Sequence, residues 1–191
     1  DGATIHGILC QPNDRPITQK ALFLHEIEGH TEGGAVTTIS RHYAKLGIAS
    51  LRIDFSGHGK RKDEWERYSP MSMLGDAKQS VNWLDKQFIN IKQTMLCGFS
   101  TGGAIAIMLR EHDDRISKSC LLYPVVSFKH NFLSAIYGDE NPLQSLEDWN
   151  KLTPWRAYEF TEEKLEASLN DGAPFSLSGH TYGAAFIKGC K

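Results

Sequence analysis

No stretch of this 191-residue chain approaches the ~18 consecutive apolar residues of a membrane-spanning helix, so a helical membrane span is excluded and a soluble protein is expected. Charge of one sign is also lacking. The formal net charge is -2, and lysines and arginines are scattered rather than striped, which removes the electrostatic case for nucleic acid. Cysteine is sparse: Cys10, Cys97, Cys120 and Cys190 are widely spaced, and Cys97 and Cys120 lie in apolar runs where a free thiol packs as a small hydrophobe. A reducing, cytoplasmic setting is expected. Internal repeats and low-complexity tracts are absent as well, so neither a solenoid nor a disordered linker is expected. With 40% hydrophobic residues, the chain suits one domain with a sizeable core.

What is there is organised around Gln93 to Arg110. An apolar run suited to a strand buried on both faces leads into a segment rich in Ala, Leu and Met, suited to a helix. Between them stands Gly98-Phe99-Ser100-Thr101-Gly102, the Gly-x-Ser-x-Gly spacing of a nucleophile elbow. A serine in a one-residue turn between strand and helix is held in a strained backbone conformation, so the residues two before and two after it must be small. The turn sets the hydroxyl at a helix N-terminus, where unpaired N–H groups can hold an oxyanion. Ser100 is then the nucleophile and the Thr101 N–H the first donor. The bland alternative is a turn serine that caps a helix.

Taken in order, Thr4 to Gln11 reads as a strand, Ala21 to Leu24 as a short buried strand, and His25 to His30 as a polar loop. Ala35 to Leu46 is a helix stopped by Gly47, Ile48 to Asp54 a third strand, and Phe55 to Ser69 a charged surface loop. Met71 to Phe88 carries Leu74, Ala77, Val81, Leu84 and Phe88 at helical spacing, and Ser119 to Val126 follows the elbow helix as a fifth strand. Alternating strands and helices predict an α/β fold with a mainly parallel sheet covered on both faces. From Ser127 to Lys191 the chain is helix-like and aromatic with no convincing strand. The expected organisation is a core over 1–126 and a helical cap over 127–191.

With these residues in view, the chain resembles the α/β-hydrolase superfamily, nearest its serine aminopeptidase-like and cinnamoyl or feruloyl esterase-like branch. His25 ends a strand where that family has its oxyanion loop, Arg52-Ile53-Asp54-Phe55-Ser56-Gly57-His58-Gly59 is similar to its Arg-x-Asp-x-x-Gly-His-Gly, and Gly98 to Gly102 is the elbow. Phe175 to Lys191 is also similar to the end of the cap in these esterases and in acyltransferases that supply fatty acids to bacterial luciferase. The resemblance implies a second oxyanion donor in the Ile27 N–H, and structural roles for His25, Asp54, His58, Gly98 and Gly102. Glu26 departs from the pattern, standing where the family has glycine.

The resemblance also implies a triad acid and histidine on two strands beyond the cap, and no residue here meets that description. His112, Asp113 and Asp114 end the elbow helix about 15 Å from Ser100 at the helical rise of 1.5 Å per residue. Asp139, Asp148, Asp171, His130 and His180 fall in the cap and lack a strand-end context. The chain is therefore expected to be an incomplete hydrolase, close to inactive by itself. Glu26, Glu28, His30 and Glu32 form a solvated loop rather than a metal site, and neither metal nor cofactor is expected. The function implied is a serine hydrolase of small carboxylic esters. A fatty-acyl thioesterase or acyltransferase, and a non-catalytic binding protein on the same fold, are the alternatives.

Overall fold

The computed structural model describes residues 4–128, 162–177 and 180–190. Its main sheet has the strand order β1-β3-β2-β4-β5, formed by Gly7–Cys10 (β1), Gln19–Leu24 (β2), Ile48–Ile53 (β3), Thr94–Phe99 (β4) and Ile116–Leu122 (β5). Only β1 runs antiparallel, against β3; the other pairs are parallel. This is the mainly parallel α/β arrangement that the alternating strands and helices predict.

Alternate residues of the central strands feed two cores. Leu22, Leu24 and Leu96 face one side, and Ala21, Phe23, Cys97 and Phe99 the other, as the two-residue period of a strand requires. Helix α1 (Gly34–Lys45) covers the second face through Val36, with Ile39 and Tyr43 packed alongside. Helices α2 (Pro70–Gln87) and α3 (Thr101–His112) cover the first through Met73, Ala77, Val81, Leu84, Ile105 and Leu109. Local chemistry fixes the helix ends. Gly47, at φ 84°, ends α1, and α2 starts on a Ser69–Ser72 capping box with Pro70 at its first position.

Three expectations need correction. First, the stretch from Phe55 to Ser69 is only in part a surface loop: it winds into 3₁₀ turns over Gly59–Arg67, where Lys60, Lys62, Asp63, Glu66 and Arg67 are exposed, while Phe55, Ser56, His58, Arg61 and Tyr68 are buried. Its charge misled, because Arg61 is neutralised by Glu64 (2.7 Å) and Asp76 (2.6 Å) and also donates to the Asp54 carbonyl. Second, the strand read at Ser119 to Val126 begins at Ile116 and ends at Leu122. Tyr123 turns out of the sheet at φ 41°, and the Val125 N–H bonds back to the Ser100 carbonyl at 2.9 Å.

Third, the region after 127 is not purely helical. Between α4 (Glu162–Asp171) and α5 (Ala184–Cys190) lie β6 (Phe175–Leu177) and β7 (His180–Tyr182), paired antiparallel. Strands of three residues are too short to show a two-residue alternation. Phe175, Tyr182, Phe186, Ile187 and Cys190 join the same apolar core as Leu22 and Leu24. His130, Asp139 and Asp148 lie outside the described residues. Among the described residues no helix is long and apolar enough to cross a membrane.

Candidate active site

Ser100 sits between β4 and α3 at φ 48°, ψ -113°, a backbone conformation that L-residues with a side chain avoid. Hydrogen bonds over-determine it. The Ser100 N–H donates to the Leu122 carbonyl (3.0 Å), and the Ser100 carbonyl accepts from Gly103 (2.9 Å), Ala104 (3.3 Å) and Val125 (2.9 Å). Although Ser100 occupies the N-cap position, its side chain makes no capping bond. The capping alternative therefore loses its physical basis, and Ser100 is half-buried.

Small residues are required where the spacing placed them. A Cβ on Gly98 would stand 2.5 Å from the Gly102 carbonyl oxygen, and one on Gly102 would stand 2.2 Å from that of Leu24. A third glycine was missed. A Cβ on Gly103 would meet the Pro124 ring at 2.7 Å, so the chain leaving β5 also crosses the elbow at contact distance. Thr101 is fully buried as the first residue of α3, and its N–H belongs to the first turn, which lacks intrahelical acceptors.

Gly102 abuts the Leu24 and His25 carbonyls, which brings the loop after β2 against the elbow. His25 is buried within it. The Phe55 N–H donates to His25 Nε2 at 3.1 Å, so the proton resides on Nδ1, which donates to the Glu26 carbonyl at 2.6 Å. Burial, followed by the neighbouring His58, pushes the His25 pKa down to about 3. Both nitrogens of this neutral imidazole are engaged. Ile27 is buried, and its carbonyl accepts from His58 Nε2 and from the Tyr182 hydroxyl (3.1 Å).

Asp54 directly follows β3 and has no exposed surface. Its carboxylate accepts from the N–H groups of Thr31 (2.6 Å) and Lys60 (3.0 Å), and lies 2.8 Å from His6 Nδ1. Burial opposes ionisation, but these donors outweigh it and hold the carboxyl below its usual range. Asp54 thus ties the loop after β2 to the turn after β3. Gly59, at φ 54°, leaves space for it, since a Cβ there would lie 2.3 Å from the carboxylate carbon. His58 is buried as well, with Nδ1 3.0 Å from the Ser56 carbonyl, and burial lowers its pKa.

At the far end of α3, Asp113 is held by Arg115 at 2.8 and 2.6 Å. Asp171 is exposed in α4. His180 stacks on His58, ring centroids 5.0 Å apart, although sequence reading gave it no context. Among the described residues, none hydrogen-bonds the Ser100 hydroxyl, and no group of three or more His, Cys, Asp or Glu could hold a metal. Thr31, Tyr182 and Gly103 were not legible as site residues. Their parts are set by long-range packing that no local spacing encodes.

The sequence profile described as serine aminopeptidase, S33, matches residues 21–185. Uncharacterized protein RP471 of Rickettsia prowazekii (strain Madrid E) is 24% identical over 167 residues, covering 80% of this chain and 69% of that one. The AB hydrolase superfamily protein YisY of Bacillus subtilis (strain 168) is 34% identical over 80 residues, 41% of this chain and 28% of its own length. Among solved structures, Est1E from Butyrivibrio proteoclasticus with ferulic acid bound superposes with a TM-score of 0.69 at 18% identity, covering 98% of this chain and 67% of that chain. At that identity the likeness is one of fold.

Proposed function

Because this chain belongs to the serine aminopeptidase, S33, family of hydrolases, we propose that it is built for carboxylic-ester hydrolysis through an acyl-enzyme on Ser100. The observation that carries the reading is the strained, non-capping Ser100 at φ 48° and ψ -113°. Such strain persists only where the surroundings enforce it, and it concentrates at functional sites.

In the proposed reaction Ser100 Oγ attacks the ester carbonyl carbon and its proton passes to a base. The carbonyl oxygen becomes an oxyanion held by the Thr101 and Ile27 N–H groups. Collapse re-forms the carbonyl, breaks the ester C–O bond and releases the alcohol with the proton. Water then attacks the acyl-enzyme and frees the acid. Est1E has ferulic acid, an aryl-substituted propenoic acid, bound, and that supports an ester of an aromatic carboxylic acid as the substrate class. We read residues 127–191 as the cap over this site.

The base is the weak link. His25 is committed through both nitrogens and His58 is buried against two carbonyls, so Ser100 has no activating imidazole among the described residues. The chain by itself is expected to turn over esters slowly, and added imidazole should substitute for the base.

The test is the intact mass after exposure to a fluorophosphonate, with and without imidazole, and with Ser100→Ala alongside. An adduct of one phosphonyl group per chain, faster with imidazole and absent from Ser100→Ala, is the expected result. Labelling of similar speed without imidazole would mean that a base already lies within reach. No adduct in either condition would sink the nucleophile reading and leave a binding protein on a hydrolase fold.

A further inference from the structure

The loop after β2 is fastened through two consecutive carbonyl oxygens. The Glu26 carbonyl accepts from His25 Nδ1 at 2.6 Å and from the Gly29 N–H at 2.9 Å. The Ile27 carbonyl accepts from His58 Nε2 and, at 3.1 Å, from the Tyr182 hydroxyl. A trans peptide unit is planar, with its N–H opposed to its C=O, so holding the Glu26 carbonyl sets the direction of the Ile27 N–H. Holding the Ile27 carbonyl fixes the next plane. With both planes held, the Ile27 N–H has a fixed direction.

Two of the four donors are local to the loop. The others come from far along the chain: His58 is 31 residues beyond Ile27, and Tyr182 is 155 beyond it. Tyr182 lies in β7, fully buried, its ring against Tyr68 (5.5 Å), Phe175 (5.6 Å) and Phe186 (5.2 Å). Two residues earlier on the same strand, His180 stacks on His58 at 5.0 Å and 22°. The β6–β7 hairpin therefore reaches Ile27 by two routes, directly through the Tyr182 hydroxyl and indirectly through the His58 ring.

Position 26 also shapes the loop. Glutamate there brings a bulky side chain into a turn, and Gly29 makes room for it: a Cβ on Gly29 would lie 2.7 Å from His25 Cβ and 2.9 Å from Glu26 Cδ.

We propose that Tyr182 is a positioning residue for the oxyanion site: with His58 it holds the Ile27 carbonyl and so fixes the peptide plane adjoining the Ile27 N–H, so seating of the β6–β7 hairpin completes that site. This rests on the acyl-enzyme reading, in which the Ile27 N–H holds the oxyanion. Tyr182 touches neither substrate nor nucleophile.

Tyr182→Phe deletes one hydroxyl and keeps the ring. One hydrogen bond of the usual strength corresponds to about a tenfold effect. Amide exchange at Ile27 and Glu28 should therefore quicken about tenfold, while β2 and α1 stay unchanged. Imidazole-assisted labelling of Ser100 by the fluorophosphonate should slow about tenfold in kinact at an unchanged half-saturating concentration. Phe186→Leu is the control, since it loosens the same aromatic cluster but removes no donor.

Exchange at Ile27 and Glu28 left unchanged by Tyr182→Phe would overturn the proposal. So would an equal response to Phe186→Leu, because Tyr182 would then act by packing alone. Faster exchange in a protein whose Ser100 never labels would uphold the fastening of Ile27 and place the failure on the acyl-enzyme reading.

Discussion

Gly102→Ala should destabilise the protein by about 3 kcal/mol or more, lowering the melting temperature by roughly 6–12 °C for a chain of this size. The new Cβ would stand 2.2 Å from the Leu24 carbonyl oxygen and 2.6 Å from that of His25. Neither oxygen can yield cheaply. Leu24 ends the strand paired with β4, and His25 is anchored through both ring nitrogens, so relief would have to come from α3 or from the sheet itself. Gly75→Ala is the contrasting variant, because nothing lies within 4 Å of a Cβ there and the position is interior to α2. Alanine at an open helical site should be stabilising by about 0.5–1 kcal/mol. Thermal unfolding of the two variants checks both signs, and equal effects would mean that the close approach at the elbow is not what position 102 requires.

That contrast also marks what the chain disclosed before its structure was known. Gly98 and Gly102 were legible because a one-residue turn imposes its demand at fixed sequence spacing, and α2 was legible because Ala77, Val81 and Leu84 repeat at 3.6 residues. Arg61 was not. A charged side chain in a charged stretch reads as solvated, and only the fold brings Asp76 to it and turns the pair inward. Tyr182 lies in the aromatic stretch after residue 127, yet its partner is a carbonyl 155 residues away, and no periodicity reports such a contact. The hairpin of β6 and β7 escaped for a simpler reason, since three residues per strand leave no alternation to detect. Local rules thus revealed the elbow, while the machinery that steadies the loop facing it depends on tertiary contacts.

The same steadying loop should make the protein acid-labile well above the carboxylate range. His25 is buried and neutral, its pKa pushed down to about 3 by burial and then by His58. In the unfolded chain it returns to about 6.5. Above pH 6.5 neither state holds the proton, and His25 contributes no pH dependence. As pH falls from 6.5 towards 3 the unfolded state takes up a proton that the folded state refuses, so stability declines by about 1.4 kcal/mol per pH unit, several kcal/mol across the window. His58, also lowered by burial, adds to the slope with the same sign. Asp54 acts lower down: its depressed pKa contributes stability that is present above about 3.8 and lost as pH falls further. Urea unfolding at pH 7.0, 6.0, 5.5 and 5.0 should show stability dropping through this range, with uptake of close to one proton from His25 on unfolding near pH 5.5 and a further contribution of the same sign from His58. His25→Asn should start less stable at pH 7 and lose about one proton from that uptake. An unchanged slope in the variant would mean that His25 titrates alike in both states, and its place as a buried neutral brace would have to be abandoned.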